Sequence, residues 1–137
     1  MSNKHTILAT AAVALTLFTA TIGTAKGRNN GVMTHQADGT YIVNTTTLCA
    51  NVKGFGGPTP LQVYIKNNKV VKVEPLDNHE TPKFFARVKS ALLGQWHGMT
   101  VKKAATTDVD GVSGATYSSR AVKANVKAAV KYYQKYK

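Results

Sequence analysis

The sequence predicts an α+β protein, an antiparallel sheet with flanking helices in a single small domain. Three observations lead there. Residues 61–75 alternate apolar and polar side chains around Asn67-Asn68, the pattern of a β-hairpin. Two later segments, one from Pro82 and one from about Ser119, repeat apolar residues at helical spacing. The 137 residues suit one domain with a modest core.

Taken in order, residues 1–25 differ from the rest. Lys4 and His5 precede an uncharged stretch from Thr6 to Ala25, and Gly23-Thr24-Ala25 supplies small residues for a peptidase. This is the layout of a cleaved signal peptide, with export to the periplasm, cell surface or medium as the expected outcome. An uncleaved anchor is the competing reading, because 20 uncharged residues can just span a bilayer. Six threonines between Thr6 and Thr24 weigh against it. Residues 26–38 are polar and without period, and read as a flexible leader before a domain at 39–137.

Lys and Arg number 18 against 6 Asp and Glu, a formal charge of +12. Lys4 is the one Lys or Arg of residues 1–25, so the remainder keeps 17 against 6, formally +11. In an exported protein such a charge points to an acidic partner or surface rather than to nucleic acid. Cys49 stands alone, which excludes an internal disulfide and a cysteine metal site, and a small buried core residue is expected there.

Thr40 to Thr47 is β-branched and aromatic behind Asp38-Gly39, hence a strand. Gly54-Phe55-Gly56-Gly57-Pro58 is a loop whose glycines let backbone approach another group closely. In the hairpin, a two-residue loop would set Val63 against Lys72 and mix the faces. A three-residue loop (67–69) pairs Ile65 with Val71 and Val63 with Val73, and leaves Tyr64 opposite Lys72, so the odd length is expected.

A helix follows, with Thr81 as N-cap, Pro82 at the first position, an apolar stripe of Phe84, Phe85, Val88, Ala91 and Leu92, and Gly94 as the stop. Trp96 to Thr107 reads as irregular and ends in a lysine-rich loop. His79 and His97 lack partners at metal spacing and are expected on the surface. The last helix runs from about Ser119 to Lys135, with Ser118 or Ser119 as its cap. Val122, Val126, Ala129 and Tyr133 form its buried stripe, and Lys123, Lys127, Lys131 and Lys135 a solvated one.

The chemistry concentrates in Asp110-Gly111-Val112-Ser113-Gly114-Ala115-Thr116, just ahead of that helix. Asp110-Gly111 and Ser113-Gly114 are turn dipeptides, and the small Gly114 and Ala115 leave the Thr116 hydroxyl open to approach. The adjoining helix N-terminus favours an anion such as phosphate. This heptapeptide resembles the flavinylation motif of the FMN-binding domain family, whose members include subunits of sodium-pumping and electron-bifurcating membrane complexes and small exported flavoproteins. In that family the last Thr carries FMN through a phosphoester made by a flavin transferase. Glu80-Thr81-Pro82 resembles the family's second signature, whose Glu and Thr lie beside the flavin; Lys83 departs from it by replacing a Gly.

The resemblance covers roughly residues 38–130 and implies a cofactor site of Asp110, Ser113, Gly114, Ala115, Thr116, Glu80 and Thr81. It implies FMN as cofactor, with a flavin transferase and a membrane-bound redox partner. No catalytic triad, carboxylate pair or metal cluster is evident, so no catalytic or metal-ligating residue is expected. The expectation is an exported carrier that relays electrons between a membrane dehydrogenase and an outside acceptor. Positive charge near the ring would then favour the reduced flavin. A domain that binds FMN without a covalent bond, as a reductase or sensor, is one alternative; a flavin-free basic module for anionic surfaces is another.

Overall fold

A computed structural model of the chain describes residues 31–137. The expected signal peptide lies outside them. Four strands form one antiparallel meander in the order β1-β2-β3-β4: Met33–His35, Tyr41–Asn44, Leu61–Lys66 and Lys69–Pro75. Helices α1 (Pro82–Ala91), α2 (Val101–Thr106) and α3 (Thr116–Tyr136) follow, with a 3-10 turn at Leu93–Trp96 between the first two. The α+β expectation holds. Among the described residues no helix is long and apolar enough to cross a membrane.

Strand alternation, reset in β4 by a bulge, sends Val43, Leu61, Val63, Ile65, Val70 and Val73 to one face of the sheet, where all are buried. α3 lies over β2 and β3, with Val122, Val126, Ala129 and Tyr133 of its expected stripe buried against that face. The opposite face is polar: the Tyr64 hydroxyl donates to Glu74 at 3.0 Å, and Lys72 lies 5.3 Å from the Tyr64 ring. Cys49 is buried as expected, and desolvation pushes its thiol up from the usual range.

One buried polar link ties helix to sheet. The Thr45 hydroxyl donates to Oδ1 of Asn125, whose Nδ2 donates to the Ala121 carbonyl at 2.8 Å. Leu61 N–H donates in turn to the Thr45 hydroxyl at 2.8 Å. Both side chains are fully enclosed, and such groups stay inside only when their hydrogen bonds are met.

Several elements differ from expectation. Residues 33–35, read as part of a leader, form β1, because Met33 finds an apolar partner in Val43 and is buried. Asp38 helps to close that hairpin: its Oδ1 accepts from Thr40 N–H at 2.9 Å, which with Lys66 nearby holds its carboxyl below the usual range. The β3–β4 loop has two residues, not three. Asn67 (φ 53°) and Asn68 (φ 59°) make the left-handed turn that suits strand twist. Val63 still faces Val73 and Tyr64 still faces Lys72, because a bulge between Tyr64 and Ile65 leaves Val71 unpaired and sets Ile65 opposite Val70.

Beyond α1 the chain does not stop at Gly94. Leu92 and Trp96 are both buried, and the chain stays helical between them, wound as a 3-10 turn. The lysine-rich segment is the helix α2, started by Thr100, whose hydroxyl accepts from Lys103 N–H at 3.1 Å. α3 begins three residues early, at Thr116, and neither Ser118 nor Ser119 caps it. Their hydroxyls are engaged in tertiary bonds, and those bonds shape the site.

Candidate functional site

The turn ahead of α3 is folded against the helix it introduces. Val112 N–H donates to the Ser119 hydroxyl at 3.0 Å, and Ala115 N–H donates to the Val112 carbonyl at 3.0 Å. Gly114 takes φ +82°, a left-handed conformation open to glycine, and brings the chain round to Ala115 at the cap position. Thr116 is thereby the first residue of a 21-residue helix and is exposed. Its hydroxyl sits where first-turn amides lack helical partners and the helix dipole favours negative charge.

Across from it stands the glycine loop, held by Glu80. This carboxylate is buried, and three neutral groups donate to it. Ser118 of α3 and Gly56 N–H both donate to Oε2, at 2.8 and 3.2 Å, and the Thr59 hydroxyl donates to Oε1 at 2.8 Å. The approach needs bare backbone. A Cβ on Gly54 would overlap Oε1 of Glu80, and one on Gly56 would overlap the carbonyl oxygen of His79. Close approach was the role expected of these glycines.

Between the loop, the start of α1 and the start of α3 lies an apolar cavity of about 270 Å³. Glu80, Thr81, Gly114, Ala115 and Thr116 line it, together with three aromatic residues. Those aromatics are unusually bare for their size: Phe55 is 72% exposed, Tyr117 62% and Phe84 43%. Large apolar groups gathered at one cleft and left in water are the mark of a ligand site.

On the other side of Thr116 is a second cleft, of about 350 Å³, lined by Gly111, Val112, Ser113, Ser119, Arg120 and Lys123. It is polar and cationic where the first is apolar. Lys123 also bonds Asp108 at 2.6 Å, and that hydrogen bond holds the Asp108 carboxyl below its usual range. Arg87 of α1 lies near the turn between the clefts, its Nη1 3.9 Å from where a Gly114 Cβ would stand. Ligand pockets typically run from about 300 to about 1,000 Å³, so the first cleft falls just short of that range and the second lies at its lower end. Thr116 belongs to both.

The residues singled out in the sequence fall into three places. Glu80, Thr81, Gly114, Ala115 and Thr116 meet at the apolar cleft, while Ser113 lies in the cationic one. Asp110 lines neither; its side chain is exposed and its carbonyl accepts from Gln95 Nε2 at 3.0 Å. Thr81 caps α1 by its backbone alone, with no capping bond from its side chain. Trp96 is core, and His79 and His97 are exposed. Phe55, Phe84, Arg120 and Thr59 went unrecognised in the sequence. Phe55 did carry a signal, since an aromatic residue between glycines in a turn has no strand or helix to bury it.

A family model described as FMN-binding domain matches residues 54–131, which span the glycine loop, Glu80, both clefts and most of α3. No curated protein and no solved structure matches the chain.

Proposed function

The chain belongs to the FMN-binding domain family, with FMN as its cofactor, and from this we propose that it carries the flavin covalently on Thr116 as an exported electron-transfer protein. One observation carries the proposal: Thr116 lines both an aromatic-rimmed apolar cleft and a cationic one. FMN is built the same way, a flat ring system at one end and a phosphate at the other.

The residues present fit the group. Phe55, Phe84 and Tyr117 offer apolar and aromatic surface to a planar ring. Arg120 and Lys123 offer charge to a phosphate, and the first-turn amides of α3 offer hydrogen bonds. A phosphoester at the Thr116 Oγ1 would join FMN to the chain with loss of one water. Bound flavin supplies electron transfer; the protein supplies attachment, orientation and a positive field.

Export and a fixed cofactor support one another, because a flavin bonded to the chain is not lost by dilution outside the cell. The formal charge of +11 left after residues 1–25 suits an acidic redox partner, such as a membrane dehydrogenase, and an attachment step by a flavin transferase completes the scheme. The test is spectroscopic. Protein made with a transferase, denatured and dialysed, should keep its flavin absorbance. Loss of the colour in denaturant would leave non-covalent FMN binding as the function.

A further inference from the structure

We infer that Glu80 is a positioning residue, one that fixes the distance between the two walls of the apolar cleft and so sets how FMN is received beside Thr116. The inference rests on the functional reading above. One wall is the Gly54–Thr59 loop with Phe55, and the other is the first turn of α3 with Thr116. They share no hydrogen bond of their own among the described residues. They meet on one atom, Oε2 of Glu80, which accepts from Gly56 N–H and from the Ser118 hydroxyl. Oε1 holds the far end of the same loop through Thr59.

Glu80 is itself held in place. Its N–H donates to Oδ1 of Asn78 at 3.0 Å, and the preceding carbonyl of His79 packs against bare Gly56. The chain has three times as many Lys and Arg as Asp and Glu, yet all three donors to this buried carboxylate are neutral. Pairing with a cation is therefore not its use. What the site requires is an acceptor broad enough to take donors from two sides at once. With its oxygens directed at the protein, Glu80 acts on the flavin through the walls.

This assignment makes a distinctive prediction about substitutions. Glu80→Gln removes the charge and keeps the reach. With its oxygen toward Gly56 and Ser118, its amide can donate to the Thr59 hydroxyl, which has a second acceptor in the Gly57 carbonyl at 3.3 Å. Glu80→Asp keeps the charge and loses one methylene of reach. If spacing is what matters, the amide rescues and the shorter acid does not.

The experiment follows flavin loading of the full chain by a co-expressed transferase, read by intact mass at fixed times under denaturing conditions. Glu80→Gln should load within about twofold of wild type, and Glu80→Asp and Glu80→Ala about tenfold more slowly, the scale of losing hydrogen bonds to a charged group. Asn125→Ala, which weakens the core away from the cleft, should load normally and so controls for stability. If the Asp and Ala variants fail to fold, Ser118→Ala cuts only the tie to α3 and should slow loading on its own. Slow loading by Glu80→Gln with normal loading by Glu80→Asp, or normal loading by Ser118→Ala, would overturn the inference. Wild-type protein that takes no flavin would instead overturn the functional reading, and the inference with it.

Discussion

Ser118 and Glu80, 38 residues apart in the chain, are joined by a 2.8 Å hydrogen bond that brings the first turn of the last helix against the glycine loop. Ser118 is buried, and its hydroxyl donates to the carboxylate instead of capping the helix. A residue suited to local capping thus serves a long-range contact beside the cleft that Thr116 lines.

The closeness of that packing makes two glycines indispensable. Gly54→Ala would bring a Cβ to 2.8 Å from Thr59 Oγ1 and onto the Glu80 carboxylate, and Gly56→Ala would meet backbone at His79. Each should destabilise the fold by about 2 kcal/mol, the usual scale of overpacking. Gly94→Ala meets open space and should be close to neutral. Urea unfolding of the three variants checks the order; equal stabilities would contradict it.

Asn125→Ala should cost about 2 kcal/mol, because it removes one acceptor of the buried Thr45 hydroxyl, leaving it the Leu61 carbonyl at 3.3 Å, and opens a small void. Flavin attachment should be unchanged at temperatures where the variant is folded. A loss of attachment without loss of stability would show that this pair reaches the cofactor.

Acid should weaken the Asp108–Lys123 contact in a defined direction. The folded carboxyl lies below its unfolded value of 3.8, so its stabilisation is present above that value and is lost as pH falls through the folded one. The pair is exposed on the Asp108 side and the effect is small. The difference in melting temperature between wild type and Asp108→Asn should shrink as pH drops from about 6 to about 2.5. A constant difference would show that the ion pair contributes nothing.

Asp110 faces solvent at the entry to the turn before α3 and lines neither cleft. If Thr116 is modified as proposed, Asp110 is placed to be read by the modifying enzyme rather than to hold the flavin. Asp110→Ala should therefore reduce flavin incorporation while shifting stability by under about 0.5 kcal/mol, as exposed substitutions usually do. Normal incorporation would remove Asp110 from the recognised motif.

How much of this was legible in the sequence follows from the range of each interaction. The pairing of Val63 with Val73 and the stripe from Val122 to Tyr133 could be read because alternation and helical period are local. The two-residue loop with a bulge could not, since it is settled by burying Val70 rather than by the turn. Thr116, Glu80 and Thr81 were legible as motif residues, although nothing local says that Glu80 points at protein donors. The helix at Val101–Thr106 was hidden because its two buried residues, Val101 and Ala104, are too few to make a period.

Attachment of the flavin to Thr116 Oγ1 can be read by peptide-mapped mass spectrometry. The full chain and its Thr116→Val variant would be co-expressed with a flavin transferase, denatured, digested and weighed. One FMN less one water is expected on the peptide containing Thr116, and none on any peptide of the variant. Flavin mass on a peptide bearing Ser113, Ser118 or Ser119 in the Thr116→Val variant would contradict it, as would flavin that leaves the wild-type chain in denaturant.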